Sequence, residues 1–161
     1  MPKHQDSRIL PYTARQMFDL VADVERYPEF LPWNSAARIR SREALEGEGA
    51  ERIEADLVIS FKVFRERFGS RVLLYPQDQP LWIETDYLDG PFRHLHSTWR
   101  FTDLPPEDEE LRCKVAFDVD FEFRNPILGR LIGAVFGEAM ARIIRAFEDR
   151  ARALYGAGGS R

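Results

Sequence analysis

The segment LRCKVAFDVDFEF, residues 111–123, constrains the fold more than any other stretch of this chain. Every odd position from Leu111 to Phe123 is apolar, and every even position except Ala116 is charged. Successive side chains of a β-strand point to opposite faces, so the pattern predicts a long strand with one face buried and the other in water. The rest of the chain must therefore supply an apolar layer that covers this strand.

The same period of two recurs in residues 53–61 and 64–74, but the apolar positions change from odd to even near Lys62 and Val63. A tight reversal changes the inward face in this way, which predicts a β-hairpin there. Further strands are predicted before Pro11 and at residues 37–41, 81–88 and 93–102, with the turn signals PQDQP, DGP and LPPEDEE between the later ones. Because the connections are too short for crossover helices, the sheet of about seven strands is predicted to be antiparallel.

Two short helical segments are predicted after the first strand. Thr13 and Gln16 have the spacing of a capping box, and the apolar stripe that follows predicts a helix over residues 14–23. The stretch RYPEFLPW, residues 26–33, then places three aromatic residues and two prolines where a polar turn would be usual. Because the residue before a proline is disfavoured in the α conformation, this stretch is predicted to be a short, interrupted helical turn.

The last predicted element is a long amphipathic helix. Asn125 suits the N-cap, Pro126 suits the first helical position, and Gly156 suits the C-terminal cap. Apolar residues at helical spacing between these ends form a broad face that must be buried. A curved antiparallel sheet wrapped around this helix is the simplest arrangement that buries it, which predicts an α+β fold.

Gly129, Gly133 and Gly137 recur every four residues along one flank of this helix. In a membrane span such spacing would indicate helix dimerisation, but charged residues on the same helix exclude a span. Two interpretations remain open: close approach of the sheet to the helix backbone, or space for a ligand between them.

Length and charge limit the classes of function. The 161 residues fit one domain, predicted over residues 1–156, and AGGSR at 157–161 is predicted to be a flexible tail. A net charge of −4 argues against DNA binding and against a broad nucleic-acid surface. The N-terminus lacks the features of an export signal, and the longest apolar run, residues 131–137, is far shorter than the ~20 residues of a membrane span. A cytoplasmic protein is expected, with at most transient peripheral contact at the inner face of the membrane.

No catalytic or metal-binding set stands out in the sequence. His94 and His96 lie two apart on the predicted wetter face of a strand, and a metal site would need a third ligand from elsewhere. Cys113, the one cysteine, falls on an apolar face and is predicted to be an inert core residue. The acidic run at 107–110 is predicted to be a solvated loop. The inward positions are instead mostly large and apolar, which fits either a cavity with few polar anchors or a solid core. No metal, no required cofactor and no enzymatic activity are predicted.

Four motifs, in this order, resemble the coenzyme Q-binding, START-like proteins of the polyketide cyclase and lipid-transport superfamily, which includes the bacterial ribosome-association toxins. They are VADVE followed by YPEFLPW, then RERFGSRV, DGPFRHLHSTWRF and FDVDFEFRNPILG. The resemblance covers about residues 3–155 and implies a helix-grip fold, in which the sheet and the C-terminal helix enclose a deep hydrophobic tunnel. It also implies non-catalytic binding of ubiquinone or a related isoprenoid lipid, in support of respiratory electron transfer or quinone biosynthesis. Members often carry cysteine where this chain has Asn34, so any redox or ligand role of that cysteine is absent here.

Two other functions stay open. One is a ribosome-association toxin that hinders the joining of ribosomal subunits; it would need a basic patch, with candidates Arg142, Arg145, Arg150 and Arg152 on the last helix. The other is a cyclase- or hydratase-type enzyme in the same cavity; it would need an inward polar pair, with candidates Arg65, Glu66 and Arg67.

Strand face and motif together predict the ligand-binding residues. Those expected at the tunnel mouth and its helical lid are Tyr27, Phe30, Leu31, Trp33, Phe92, Leu128, Leu131 and Val135. Those expected along the inner wall are Leu57, Ile59, Val72, Trp99, Phe117 and Phe121. The predicted partner is a hydrophobic small molecule, and the ribosome is a partner only in the toxin alternative.

Overall fold

The structure, a computed structural model, describes residues 3–46, 49–61, 64–77 and 80–156. In chain order the elements are β1 Lys3–Leu10, α1 Ala14–Ala22, a 3-10 helix Val24–Glu29, β2 Asn34–Ala44, β3 Glu51–Phe61, β4 Phe64–Tyr75, β5 Leu81–Asp89, β6 Phe92–Glu107, β7 Glu110–Phe123 and α2 Pro126–Tyr155. This is the predicted order of one strand, two short helices, six strands and a long helix.

The seven strands form one curved antiparallel sheet in the order β1-β7-β6-β5-β4-β3-β2. Strands β2 to β7 pair with their neighbours in sequence, and β1 joins the far edge by pairing with β7, where Leu10 lies opposite Cys113. The helix α2 lies over the concave face and contacts β7 and α1. The predicted α+β helix-grip arrangement is confirmed.

A complete capping box starts α1. The Thr13 hydroxyl accepts a hydrogen bond from the Gln16 backbone N–H at 3.0 Å, and the Gln16 side-chain oxygen accepts one from the Thr13 N–H at 2.9 Å. These bonds satisfy two donors at the helix start. The buried face of α1 then packs on the sheet, where the Phe18 ring lies 5.7 Å from that of Phe101.

Both ends of α2 are fixed by hydrogen bonds. The Asn125 side-chain oxygen accepts from the backbone N–H groups of Ile127 and Leu128 at 2.9 and 3.3 Å. Gly156 ends the helix with a φ of 85°, and its carbonyl accepts from the Tyr12 hydroxyl at 2.7 Å. Neither α2 nor any other helix among the described residues is long and apolar enough to cross a membrane.

Two clusters of buried apolar residues, counted within the described part of the chain, lie on the concave face. The larger one joins α1, the sheet and the C-terminal half of α2, and includes Phe101 and Phe147. The smaller one consists of Phe68, Phe92 and Phe121. Its rings meet edge to face, with that of Phe92 5.3 Å from Phe68 and 5.8 Å from Phe121. Phe101 and Phe92 belong to the same strand, so the two clusters are separated along β6.

The turn between β6 and β7 is shorter than predicted. β6 continues to Glu107, so most of LPPEDEE is strand, and only Asp108 and Glu109 turn, with φ of 54° and 64°. The pairing register shifts between Leu104 and Glu107, and this irregularity accommodates two prolines that lack a backbone N–H. The acidic residues are exposed, as predicted.

Two predicted features lie wholly or partly outside the described residues. Lys62 and Val63, the predicted reversal, are not among them, although β3 and β4 pair antiparallel on either side with Phe61 opposite Phe64. The predicted tail at 157–161 also lies outside them.

The glycine flank of α2 does not face the sheet as predicted. Gly133 and Gly137 are exposed, and a Cβ added at either position would meet no described atom within 4 Å. At Gly129 the added atom would be in ordinary contact with the Phe123 Cβ at 4.0 Å. Both interpretations are therefore wrong for Gly133 and Gly137, because this flank lies on the outer side of the helix.

Alanine at Gly90 and at Gly133 is expected to change stability in opposite directions. Gly90 has a φ of 137°, and an added Cβ would lie 2.9 Å from the Arg67 carbonyl oxygen, so Gly90→Ala should lower the free energy of unfolding by more than about 1 kcal/mol. Gly133 lies inside a helix with open space around it, so Gly133→Ala should raise the same quantity by roughly 0.5–1 kcal/mol. Urea denaturation measures both, and a destabilised Gly133→Ala would contradict the outward orientation of the flank.

Cys113 is expected to be unreactive in the folded protein. It is fully buried on β7, and burial, with a smaller effect of the Asp103 charge, raises the pKa of its thiol to about 12. At pH 8 only about one thiol in ten thousand would be ionised, and the thiolate is the reactive form. An aromatic disulfide reagent should react slowly with native protein and stoichiometrically in denaturant. Rapid labelling of native protein would place the thiol in contact with solvent.

Candidate functional site

The concave face of the sheet and α2 enclose a cavity of about 320 Å³. Its roof is one face of α2, formed at spacings of one, three and four residues by Ile132, Val135, Phe136, Ala139, Met140, Ile143 and Phe147. The walls come from strands β2 to β7, the 3-10 helix and the end of α1, and none of the described lining residues is charged. This volume lies in the usual range for a small-molecule site, roughly 300–1,000 Å³.

Eleven of the fourteen predicted ligand-binding residues line this cavity. They are Tyr27, Leu31, Trp33, Leu57, Ile59, Val72, Phe92, Trp99, Phe117, Phe121 and Val135. Phe30, Leu128 and Leu131 are not part of the lining. The structure thus brings together most of the predicted set, while ligand binding by these residues remains a prediction.

Each of the three exceptions has a packing reason. Leu128 lies one turn before Ile132, the first residue of α2 in the lining. Leu131 directly precedes Ile132, but consecutive helix residues point about 100° apart, which places Leu131 at the edge of the lining face. Phe30 packs between two side chains of α2: its ring lies 5.4 Å from the ring of Phe147, and the Arg150 guanidinium lies 5.0 Å from the centre of the Phe30 ring.

Phe92 is not at the mouth, where it was predicted. Its side chain is only 3% exposed and belongs to the aromatic cluster with Phe68 and Phe121. The residue starts β6 and its side chain lines the cavity, while Gly90, with a φ of 137°, lies in the turn before the strand. Phe92 is therefore a buried residue of the lining.

The short helical turn predicted for RYPEFLPW is observed as the 3-10 helix Val24–Glu29, which fixes one wall. Tyr27 donates its hydroxyl to the Val21 carbonyl at 2.5 Å, and its ring lies 5.7 Å from that of Phe147 in an edge-to-face contact. Burial, with a smaller effect of the Asp23 charge, raises the pKa of Tyr27 far above its ordinary value. The Tyr27 hydroxyl is therefore neutral and is used in a hydrogen bond to the backbone. The ring is the part of Tyr27 that is available to line the cavity.

Trp33 ends this segment in an unusual backbone conformation. Its φ is 62°, in the left-handed region that bulky residues rarely adopt. The Trp33 carbonyl accepts from the Ser60 N–H at 2.8 Å, which fixes the turn against β3. The turn directs the chain into β2 and places Trp33 and Asn34 side by side in the cavity wall.

Asn34 occupies the position where the resembling family often has cysteine. It is half-buried, lines the cavity, and its side-chain oxygen is buried without a hydrogen-bond partner among the described residues. An amide here supplies hydrogen-bonding capacity where a thiol would supply little.

Three hydroxyl residues in the lining were not predicted. Ser70 and Ser97 are almost fully buried, and Thr85 lies between them on β5. Strand alternation could have identified them, because Ser70 has the parity of Val72, and Ser97 has the parity of Trp99. A prediction based on apolar positions alone omits them.

The two histidines lie on the outer face of the sheet, as predicted. His94 Nε2 is 3.2 Å from Asp120 Oδ1, and His96 Nδ1 is 2.7 Å from Asp86 Oδ1, so each pairs with a neighbouring carboxylate. Among the described residues there is no cluster of side chains that could hold a metal ion.

The candidate polar pair for catalysis also lies outside the cavity. Arg65, Glu66 and Arg67 are exposed, and Arg67 forms ion pairs with Asp56 at 2.7 Å and Asp89 at 3.1 Å. None of these residues is part of the cavity lining. The described lining offers a large apolar surface with a few neutral polar groups and no acid–base pair.

Comparison with known proteins agrees with this geometry. Residues 10–148 match the family described as polyketide cyclase / dehydrase and lipid transport. The chain is 39% identical to the ribosome association toxin RatA of Pseudomonas aeruginosa over 152 residues, which are 94% of this chain and 96% of that protein. It is 30% identical to the mitochondrial coenzyme Q-binding protein COQ10 homolog B of Xenopus laevis over 155 residues, which are 96% of this chain but 59% of that protein.

Solved structures share the same architecture. The solution structure of an 18 kDa protein from Caulobacter crescentus matches with a TM-score of 0.74 and 33% identity, covering 98% of this chain and 100% of that one. The Zhui aromatase/cyclase from Streptomyces sp. R1128 matches with a TM-score of 0.67 over 98% of both chains, but at 18% identity it shows the fold alone. The chain therefore belongs to the polyketide cyclase / dehydrase and lipid transport family, as its four motifs predict.

Proposed function

We propose that this protein binds ubiquinone or a related isoprenoid lipid in the cavity and acts as a non-catalytic quinone chaperone. Its role would be to support respiratory electron transfer or quinone biosynthesis. The observation that carries this proposal is the lining, which combines large apolar side chains with small neutral polar ones and, in the described part, no charge. A coenzyme Q-binding relative that aligns with 96% of this chain favours a quinone over other lipids.

The lining is suited to holding a ligand more than to transforming it. General acid–base catalysis needs a positioned group that can exchange a proton near neutral pH. The Tyr27 hydroxyl is bonded to a backbone carbonyl, and the pKa of Tyr27 is raised by burial. The other polar lining groups are serine, threonine, asparagine and tryptophan side chains, none of which titrates in that range. The proposed activity therefore requires no cofactor, and the quinone is the ligand.

A lipid carrier must meet the membrane that supplies its ligand. We place the protein in the cytoplasm, with transient peripheral contact at the inner face of the membrane. Ile127, 69% exposed in the first turn of α2, and the exposed Arg130 nearby would suit such contact, since apolar and cationic side chains favour an anionic lipid surface.

Filling the cavity should displace the lipid. Ala139 lines the cavity from α2, whereas Ala141 on the same helix is exposed. Ala139→Trp should reduce co-purified quinone per mole of protein at least severalfold, because the indole occupies the ligand volume, and Ala141→Trp should not. The measurement is solvent extraction and mass spectrometry of protein expressed in a quinone-producing host, with thermal unfolding as a check on folding. Wild-type protein free of any quinone or isoprenoid would refute the proposal.

Association with the ribosome is a second candidate function, favoured by relatives of 34–39% identity named ribosome association toxin. The predicted basic patch on α2 is partly neutralised, because Arg150 pairs with Glu29 at 3.0 Å and Arg152 with Asp149 at 3.1 Å. Arg142 and Arg145 remain exposed beside the RYPEFLPW segment and are the residues best placed to meet phosphate groups.

If this second function holds, expression should slow growth and reduce the peak of assembled ribosomes in a sucrose gradient. The double variant Arg142→Glu/Arg145→Glu should restore the peak, because it reverses the charge of both exposed arginines. Arg152→Glu is the matched control, since that arginine is already paired with Asp149. Normal gradients with well-expressed wild-type protein would reject the ribosome as a partner.

A further inference from the structure

Three side-chain hydroxyls sit together on the concave face of the central strands. Ser70 belongs to β4, Thr85 to β5 and Ser97 to β6, and all three line the cavity. Thr85 is directly paired with Ser97 across β5 and β6. Ser70 precedes Val72, the β4 partner of Thr85, by two residues. Ser70 and Thr85 are therefore diagonal neighbours, which in a sheet are about 7–8 Å apart, and direct pairs such as Thr85 and Ser97 are about 5 Å apart.

This hydroxyl cluster, Ser70, Thr85 and Ser97, interrupts an otherwise apolar wall. Ser70 is 2% exposed and Ser97 is 8% exposed, and their inward neighbours along the strands include Val72 and Trp99. Burying a hydroxyl in such surroundings lowers stability unless the hydroxyl is hydrogen-bonded. If these positions only packed the core, alanine or valine would give a more stable protein. Three such residues on adjacent strands form a local polar patch that an oxygen-bearing ligand can use.

The other polar groups of the lining lie elsewhere or are already bonded. The Tyr27 hydroxyl donates to the Val21 carbonyl. Asn34 pairs with Ile59 on β3, four residues from Ala55, which is the β3 partner of Ser70. At the usual rise per residue of a strand, Asn34 lies roughly 13 Å from the level of Ser70. The cavity therefore has an inner polar patch and a separate polar group next to Trp33, with apolar side chains between them.

We propose that the hydroxyl cluster receives the polar head of the lipid, so that the ligand binds head inwards with its tail along the roof of α2. The inference rests on the proposed lipid-binding function and specifies its ligand class: a neutral head with two or more oxygens. A hydroxyl both donates and accepts, so the same cluster can donate to a quinone carbonyl and accept from a quinol hydroxyl. An anionic head is disfavoured, because none of the described lining residues supplies a compensating charge.

The test compares two probes on delipidated protein: a short-chain ubiquinone, and an isoprenoid hydrocarbon of similar tail length without oxygens. Binding can be followed by tryptophan fluorescence, because Trp33 and Trp99 line the cavity. The variants are Thr85→Val, which keeps the side-chain shape, and Ser97→Ala combined with Thr85→Val. Thr98→Val is the matched control, since Thr98 is buried beside Ser97 on β6 but is not part of the lining.

Losing two neutral hydrogen bonds should weaken quinone binding by about tenfold or more in the double variant, with a smaller loss in Thr85→Val. Hydrocarbon affinity should stay the same or rise, and Thr98→Val should leave both probes unchanged. Equal losses for both probes would overturn the inference, because the hydroxyls would then be structural. Unchanged quinone affinity in the double variant would also overturn it while leaving the proposed function standing.

Two further outcomes separate the inference from the function it rests on. Wild-type protein that binds neither probe would refute lipid binding itself, and the head-group site with it. Tighter binding of a fatty acid at pH 8 than of the short-chain ubiquinone would contradict the neutral head while keeping the cavity as a lipid site.

Discussion

One helix cannot fill the concave face of a seven-stranded sheet, and the rest of the structure depends on where α2 is held. Its C-terminal end is fixed: the Tyr12 hydroxyl donates to the Gly156 carbonyl, and the Tyr155 hydroxyl donates to the Gln16 carbonyl. Phe147 fills the space below that end. Farther toward the N-terminus the helix stands over a cavity of about 320 Å³. Unfilled apolar space lowers stability, and a ligand that binds only the folded protein recovers part of that loss.

The RYPEFLPW segment supplies apolar side chains to the wall of this cavity. A polar loop there would leave the apolar interior against water. Instead Tyr27 packs on Phe147, and Leu31 and Trp33 continue the apolar wall. The left-handed conformation of Trp33 is a local cost, of order 1–3 kcal/mol for such a residue, that surrounding contacts such as the Ser60 hydrogen bond must offset.

The fold could be predicted because its signals are local. Each signal lies within one short stretch of sequence: the alternation of β7, the Thr13 cap of α1 and the Asn125 cap of α2. Together they allow few ways of packing the helices on the sheet. The limits of the cavity could not be predicted in the same way. Leu131 is four residues before Val135 and directly precedes Ile132, so helical spacing alone could not separate it from these two residues of the lining. Strand alternation alone predicts that Ser70 and Ser97 face inwards. That they lie next to Thr85 follows only from the strand register, which the sequence does not provide.

The separation of charge between the two faces of the sheet restricts what the interior can do. On the outer face the Asp56 carboxylate is within 4 Å of the guanidinium groups of Arg38, Arg40 and Arg67. Asp56 is itself buried, and the three guanidinium groups, which reach it from the more exposed side, compensate its charge. Period-two alternation places most ionised side chains of the central strands on that outer face. Asp6 and Arg8 of β1 do face α2, where Arg8 pairs with Glu148 at 3.6 Å, but they are not part of the cavity lining. Only uncharged groups such as hydroxyls and amides therefore interrupt the described wall. If the protein is the carrier proposed above, such an interior would select its ligand through size and neutral hydrogen bonds.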